Sequence, residues 1–151
     1  RIAFTVPCVP IAQPRQRHRV MIGADGTTFA ANYTPQLAPV NAYKAAVQLA
    51  AAAAYRGPPL AGPVRLSVVF VFPRPGRLVW RRREMVRAWH VSTPDCDNLY
   101  KSTVDALKRV CFRDDAQVCA VAVEKWYANG DEQPHVEVMI ESLSSLEPNA
   151  E

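Results

Sequence analysis

Val64-Arg65-Leu66-Ser67-Val68-Val69-Phe70-Val71-Phe72 is the stretch on which the fold turns. Val64, Leu66, Val68, Phe70 and Phe72 share one face of an extended chain, and Val69 and Val71 make the other face apolar too. A strand apolar on both sides belongs in the interior of a sheet. Gly57-Pro58-Pro59 precedes it and Pro73-Arg74-Pro75-Gly76 breaks it. Upstream, Asn41 is placed to cap a helix that runs through Ala-rich sequence to Tyr55, a composition suited to close packing on a sheet. Further back, Ile2, Phe4 and Val6 alternate with Ala3 and Thr5, which predicts a first strand. Between Pro10 and Pro39 there is no helical period, only basic and turn residues, with a turn at Ala24-Asp25-Gly26.

Downstream, Arg77 to Trp89 is basic and aromatic and fits either a short helix or a flap. Leu99 to Val110 predicts a helix with Leu99, Thr103, Ala106, Leu107 and Val110 on its apolar face. Gln117 to Tyr127 predicts a third strand and Asn129-Gly130 a hairpin turn. In the fourth strand Val136, Val138 and Ile140 alternate with Glu137, Met139 and Glu141. The order β, α, β, α, β, β implies an α+β fold: one domain over residues 1–142, a mixed sheet with helices on one side, and a polar, disordered tail over 143–151.

The net charge of +4 is small but unevenly spread. Arg15, Arg17, His18 and Arg19 form one basic cluster, and Arg74, Arg77, Arg81, Arg82, Arg83 and Arg87 another. Acids collect between Asp95 and Asp115 and in the C-terminal third. Basic arms around an acidic centre fit a protein that grips a polyanion and works on it with a metal. Cys8, Cys96, Cys111 and Cys119 show no zinc spacing; Cys8, Cys111 and Cys119 sit among apolar residues and are expected to be buried. Free thiols point to a reducing cytoplasm, and no apolar run approaches the ~18 residues of a membrane span.

The chemistry concentrates in Thr93-Pro94-Asp95-Cys96-Asp97-Asn98-Leu99-Tyr100-Lys101 and in Asp114-Asp115-Ala116-Gln117-Val118. On an extended segment Asp95 and Asp97 point the same way, and on a helix starting near Asn98 the residues Asp97, Lys101 and Asp105 form one polar stripe. Phosphodiester hydrolysis needs an activated water and relief of negative charge, which magnesium held by a few carboxylates supplies. A neighbouring lysine offsets the mutual repulsion of the acids and can donate to the phosphate. Each piece also has a structural reading: Asp97 as a helix cap, Lys101–Asp105 as a surface pair, Asp114-Asp115 as a turn.

Together these residues resemble the RusA family of Holliday-junction resolvases, found in bacterial and prophage genomes. The resemblance rests on Asp95-Cys96-Asp97-Asn98-Leu99-Tyr100-Lys101, on Asp105-Ala106-Leu107, on Asp114-Asp115-Ala116-Gln117-Val118, on Lys125 and Tyr127, and on the Pro-rich opening with Arg15 and Arg17. It implies a homodimeric α+β nuclease that binds four-way DNA junctions and makes paired nicks with Mg2+, for which Mn2+ substitutes. It assigns the catalytic, metal-binding carboxylates to Asp95, Asp97 and Asp115 and the catalytic lysine to Lys101. Asp114 is the nearer understudy among the other acids, and Asp105 the more distant.

Arg15, Arg17 and Arg19 alternate, so on an extended chain they share a face and can follow a phosphate backbone, with Arg81 and Arg82 as a second contact. Trp80 and Trp89 frame that second cluster and suit either stacking on unpaired bases or burial. His18, His90 and His135 have no metal spacing, and His90, nearest the acids, reads as a loop or surface histidine. Two features depart from the family: Gln13 stands where many relatives carry lysine, and the Arg77 to Arg87 segment is unusually basic. Beside junction resolution stand two alternatives: a less selective branched-DNA nuclease of prophage origin, and a non-catalytic DNA-binding accessory protein. The acids argue against the last, because binding DNA gains nothing from concentrated negative charge. No small-molecule substrate and no membrane association are expected.

Overall fold

Val64–Phe72 does occupy the centre of a sheet. The computed structural model describes residues 1–14, 17–33 and 38–143, with the backbone alone for 17–19 and 31–33. The chain order is β1 (Ile2–Val6), β2 (Arg17–Ile22), β3 (Thr28–Tyr33), α1 (Pro39–Ala54), β4 (Val64–Phe72), β5 (Ala88–Trp89), α2 (Cys96–Leu107), β6 (Val118–Tyr127) and β7 (His135–Ser142). Five strands form one sheet in the order β1-β7-β4-β6-β5, and β2 and β3 form a separate two-stranded sheet. In β4, Val64, Leu66, Val68 and Phe70 are at most 1% exposed, and Val71 on the opposite face is fully buried. Each such side chain contributes roughly 1.5–3 kcal/mol relative to its exposed state. β4 is paired along both edges: β6 runs parallel to it and β7 antiparallel.

That arrangement corrects the expected hairpin at Asn129-Gly130. β6 and β7 are consecutive in sequence, but β4 lies between them, so residues 128–134 cross over the end of the central strand. The loop is organised for that crossing. Asn129 Oδ1 accepts from the amides of Asp131 and Glu132, both at 2.8 Å, and the Gly130 amide donates to the Met85 carbonyl. Arg87 grips Glu132 through Nε–Oε1 at 2.9 Å and Nη2–Oε2 at 2.6 Å, and also reaches Glu137 at 3.0 Å.

Both helices cover the face that carries Val64, Leu66, Val68 and Phe70. α1 starts at Pro39, with Ala38 in the cap position, and not at a cap on Asn41. Proline suits the first helical position because its fixed φ is already helical and no amide partner is needed there. Val40, Tyr43, Val47 and Ala51 form its buried stripe, and Tyr43 Oη meets Thr103 Oγ1 of α2 at 2.7 Å. α2 buries the expected Leu99, Thr103, Ala106 and Leu107, but runs Cys96–Leu107 and so begins and ends about three residues earlier than the periodicity predicts. It ends where Lys108 leaves helical geometry with ψ 135°, and Arg109 follows with φ 69°. The opposite face, with Ala3, Thr5, Ser67, Val69, Glu137 and Met139, is a shallow depression of about 410 Å3.

Three further expectations change. The segment Pro10 to Pro39 contains a hairpin, β2–β3, whose turn puts Gly26 at φ 83° and uses Asp25 to accept from the Thr27 amide at 3.1 Å. Its signal was weak because Arg17-His18-Arg19 gives no apolar alternation. Arg77 to Trp89 is neither a helix nor a free flap: a single 3-10 turn at Gly76–Leu78 leads to the edge strand β5. Cys111 is buried and Cys8 half-buried, but Cys119 is exposed near the start of β6, and all four thiols are free. The expected C-terminal tail falls, from Ser144 on, outside the described residues. No helix among the described residues is long and apolar enough to cross a membrane.

The Arg87–Glu132 pair links β5 to the crossing loop, and its pH dependence follows. Hydrogen bonding from Arg87 lowers the Glu132 carboxyl from 4.5 to about 2. A carboxyl lowered by folding stabilises the fold above its unfolded value, and the contribution is lost as pH falls from 4.5 toward 2. Glu132→Gln is therefore expected to lower Tm at pH 7 by several degrees, at about 2–4 °C per kcal/mol for a domain of this size. Thermal melts of both chains should converge as the pH approaches 2; a gap independent of pH would show that the charge pair is not the cause.

Candidate active site

The acidic motif lies entirely within the connection between β4 and β6. Parallel neighbours cannot be joined by a tight turn, so residues 73–117 must cross back along the sheet, and α2 is the return path. Near its start the Pro94 carbonyl is held by Lys125 of β6 at 2.8 Å. Beyond its end Lys108 reaches Asp114 and Asp115, both at 3.7 Å, just before β6 begins. α2 thus runs antiparallel to β6.

Asp97, Asn98, Tyr100, Lys101, Val104 and Asp105 line one wall of a cleft of about 540 Å3, and Asp115 and Ala116 line the other. Asp97, Lys101 and Asp105 form the expected polar stripe, spaced four residues apart on one helix face. Asp115 therefore does meet the α2 stripe across the cleft. Tyr100 registers the proximity: burial first, then the Asp115 charge, push its phenol above the ordinary value.

Asp95 is placed differently. Because α2 begins at Cys96, Asp95 is the cap residue, with extended backbone and no side-chain cap bond, and its carbonyl accepts from the Leu99 amide at 3.1 Å. Asp97 is already in the first helical turn. The two are not a pair on an extended segment, since at a helix start two residues' separation turns side chains to different sides. Asp95 is exposed and is not among the cleft residues.

The Asp114-Asp115 turn is built with unusual thoroughness. Asp114 caps the 3-10 turn Asp115–Gln117, accepting from the Ala116 amide at 3.2 Å. Gln117 Oε1 accepts from the Arg113 and Asp114 amides at 2.8 Å each, while its Nε2 donates to Leu60 at 2.9 Å and Gly62 at 2.8 Å. A proton shared with the Asp115 carboxyl, then the Ala116 amide and Lys108, hold the Asp114 carboxyl below the ordinary carboxylate range. Gln117 was visible in the motif, but its part as the nail that fixes Asp115 was not, because Leu60 and Gly62 are remote in sequence.

The cleft offers oxygen donors and a lysine, without histidine or thiol, and such a set suits a hard divalent cation. Among the described residues no three His, Cys, Asp or Glu side chains close around a single point. That still fits magnesium, which commonly takes one or two protein carboxylates, keeps several waters and leaves room for phosphate oxygens.

The basic surface is partly bound to this site and partly committed elsewhere. The Gln13 amide donates to the Asn98 carbonyl at 3.0 Å, and Ser102 Oγ donates to Ile11 at 2.7 Å, so the chain leading to the first basic cluster is tied to α2. Arg15 lies outside the described residues; Arg17 and Arg19 fall on β2. In the second cluster, Arg74 donates to the carbonyls of Leu78, Val86 and Ala128, and Arg87 is held by Glu132. Arg81 and Arg82 are exposed and enter no ion pair found among the described residues. The Trp80 ring is met by Arg74 at 4.5 Å and by Arg83 at 3.6 Å. Trp89 stacks on Trp126 at 3.5 Å and is 58% exposed. His90 is buried, contrary to expectation, with Phe72 at 4.3 Å and Tyr127 at 4.5 Å.

A mixed α+β sheet whose crossover helix presents carboxylates and a lysine, beside arginine-bearing surface, defines a class of domain equipped to act on a polyanion. A family model described as endodeoxyribonuclease RusA matches residues 7–141, and the chain belongs to that family of nucleases. It is also 30% identical over 149 residues to a protein of Bacillus subtilis strain 168 described as "Uncharacterized protein YqaN", covering 95% of this chain and 98% of that one.

The geometry separates the two adjacent acids. Asp115 faces the cleft, whereas Asp114 serves as a cap, a role asparagine fills equally well. Asp115→Asn is expected to lower DNA cleavage by about 100-fold or more, equivalent to about 3 kcal/mol, and Asp114→Asn by less than about fivefold. Steady-state cleavage rates for both variants check this; the reverse order would move the functional acid by one residue.

Proposed function

We propose that this chain is a metal-dependent endodeoxyribonuclease that resolves four-way DNA junctions by paired, symmetric nicks. The observation that carries the reading is the cleft in which Asp97, Lys101 and Asp105 of α2 face Asp115, within a member of the RusA family. Asp97 and Asp115 would hold a magnesium ion, and manganese would replace it; Asp95, at the helix cap, is the third acid of the assignment. When bound, the ion would supply Lewis acidity toward the phosphate and a more acidic water. Lys101, four residues along α2 from Asp97, would donate to the phosphate oxygen as charge develops there. Asp105 is drawn toward Lys44 at 3.6 Å, which favours a supporting role.

Binding falls to the basic surface. Arg15, Arg17 and Arg19 follow in sequence on a segment anchored to α2 and are the first set of phosphate contacts in this reading. Arg81 and Arg82 give a second contact. Each chain has one such cleft, and a four-way junction is roughly two-fold symmetric, so two symmetric nicks call for a homodimer with identical interfaces. A less selective branched-DNA nuclease remains the second reading, favoured by the unusually basic Arg77 to Arg87 segment.

Three outcomes are expected with a synthetic four-way junction and a linear duplex. Asp97→Asn should cut the junction at least about 100-fold more slowly in Mg2+, while binding it as tightly or more tightly, because a negative charge facing phosphate is removed. The parent's nicks should be sealable by DNA ligase and its junction activity should exceed that on duplex; parental cleavage by Asp97→Asn would remove the catalytic assignment. Replacing both Arg81 and Arg82 by Ala should weaken binding to every DNA form and shallow the log–log salt slope by up to about 2, at ~0.9 per phosphate contact. An unchanged slope would place those arginines away from DNA.

A further inference from the structure

Lys125 is an anomaly in its strand. It is the β6 partner of Phe70, whose side chain is fully buried, and it falls on the sheet face that the helices cover. A lysine on a mostly apolar face is costly unless its charge and its donors are satisfied. Its ammonium donates to the Ser92 carbonyl at 2.8 Å and to the Pro94 carbonyl at 2.8 Å. It takes part in none of the ion pairs found among the described residues. Around it, His90 donates its amide to the Lys125 carbonyl at 3.1 Å, with its ring among Phe72 and Tyr127. Burial first, and then the Lys125 charge, push that imidazole below its ordinary value.

The Pro94 carbonyl belongs to the peptide whose nitrogen is that of Asp95. Gripping Ser92 and Pro94 together fixes the plane and direction of the chain as it enters Asp95 and the first turn of α2. Among the described residues neither Asp95 nor Asp97 is held by a side-chain hydrogen bond, and Asp95 makes no side-chain cap bond. At the other end of the helix Gln117 does the equivalent for Asp115, so each end of the acidic region is fastened by one side chain of β6 or its approach.

We propose that Lys125 is a positioning residue: by clamping the Ser92 and Pro94 carbonyls it sets the orientation of Asp95 and Asp97 for Mg2+, without touching DNA or metal itself. The proposal rests on the nuclease reading above. It differs from a merely structural role in where the consequence falls, on the metal requirement and turnover and not on junction binding or global stability.

The test uses the full chain with Lys125→Met, which keeps nearly the length and loses donors and charge, Lys125→Gln, which loses the charge and keeps a shorter amide donor, and Lys125→Arg, which keeps charge and donors. Cleavage of a four-way junction is measured against Mg2+ concentration, junction binding is measured in EDTA, and amide hydrogen exchange is followed along residues 91–97 and along β4. Lys125→Met should turn over at least tenfold more slowly and require severalfold more Mg2+, with junction binding in EDTA within twofold of the parent. Exchange should rise over 91–97 and stay unchanged in β4, and Lys125→Arg should recover most of the activity. Should Lys125→Met not fold, Lys125→Gln is judged by the same criteria. Parental turnover, Mg2+ midpoint and exchange in a folded variant overturn the proposal, and so does exchange that rises equally in β4. If the parent itself cuts no junction, the nuclease reading fails, and the exchange over 91–97 still decides whether Lys125 holds that segment.

Discussion

The parallel pairing of β4 with β6 is the constraint from which the site follows. Two parallel strands side by side must be joined by a segment that returns the full length of the sheet, and a helix is the economical way to satisfy its backbone in transit. Here that segment carries the whole acidic motif, from Asp95 to Asp115. The helix brings Asp97, Lys101 and Asp105 along one side of the returning path, and the strand start delivers Asp115 to face them. Had β6 paired antiparallel to β4 through a short turn, the same residues would have had no helix to ride on and no facing wall.

Electrostatic balance in the cleft is local and loose. Lys44 meets Asp105 at 3.6 Å and Lys108 meets Asp114 and Asp115 at 3.7 Å, all with partly exposed partners. Pairs of that length near solvent contribute little to stability. They lower the mutual repulsion of the carboxylates without locking them, which leaves the acids free to exchange a lysine for another cation. The tight contacts are elsewhere, on the backbone around the acids: Gln117 with its four hydrogen bonds, and Lys125 with two carbonyls. Rigidity is thus placed in the scaffold and adaptability in the charged groups, a division that suits a site receiving a polyanion.

The basic surface divides in the same manner. Arg74 and Arg87 spend their donors on carbonyls and carboxylates that fasten the loops around β5, and Arg83 stacks on Trp80. Composition cannot tell these from Arg81 and Arg82, because the distinction lies in what each guanidinium meets after folding.

The sequence by itself determined the interior strand of the sheet and the apolar face of α2. These are properties of periodicity: Val64 to Phe72 is apolar at every second residue on one face, Leu99, Thr103, Ala106 and Leu107 recur at helical spacing, and burial rewards both patterns locally. It also carried the linked motif that places the chain in its family. Only the tertiary structure decided that β4 would separate β6 from β7, against the Asn129-Gly130 turn signal, because which strands become neighbours depends on the long-range packing of the whole sheet and not on the turn. It alone decided that Asp115 would join Asp97 across a cleft while Asp95 would sit at the cap, since that depends on α2 starting at Cys96 and on Leu60 and Gly62 being there to receive Gln117. Local pattern specifies which side of an element is buried; the meeting of elements distant in sequence is set by long-range packing, which no short window contains.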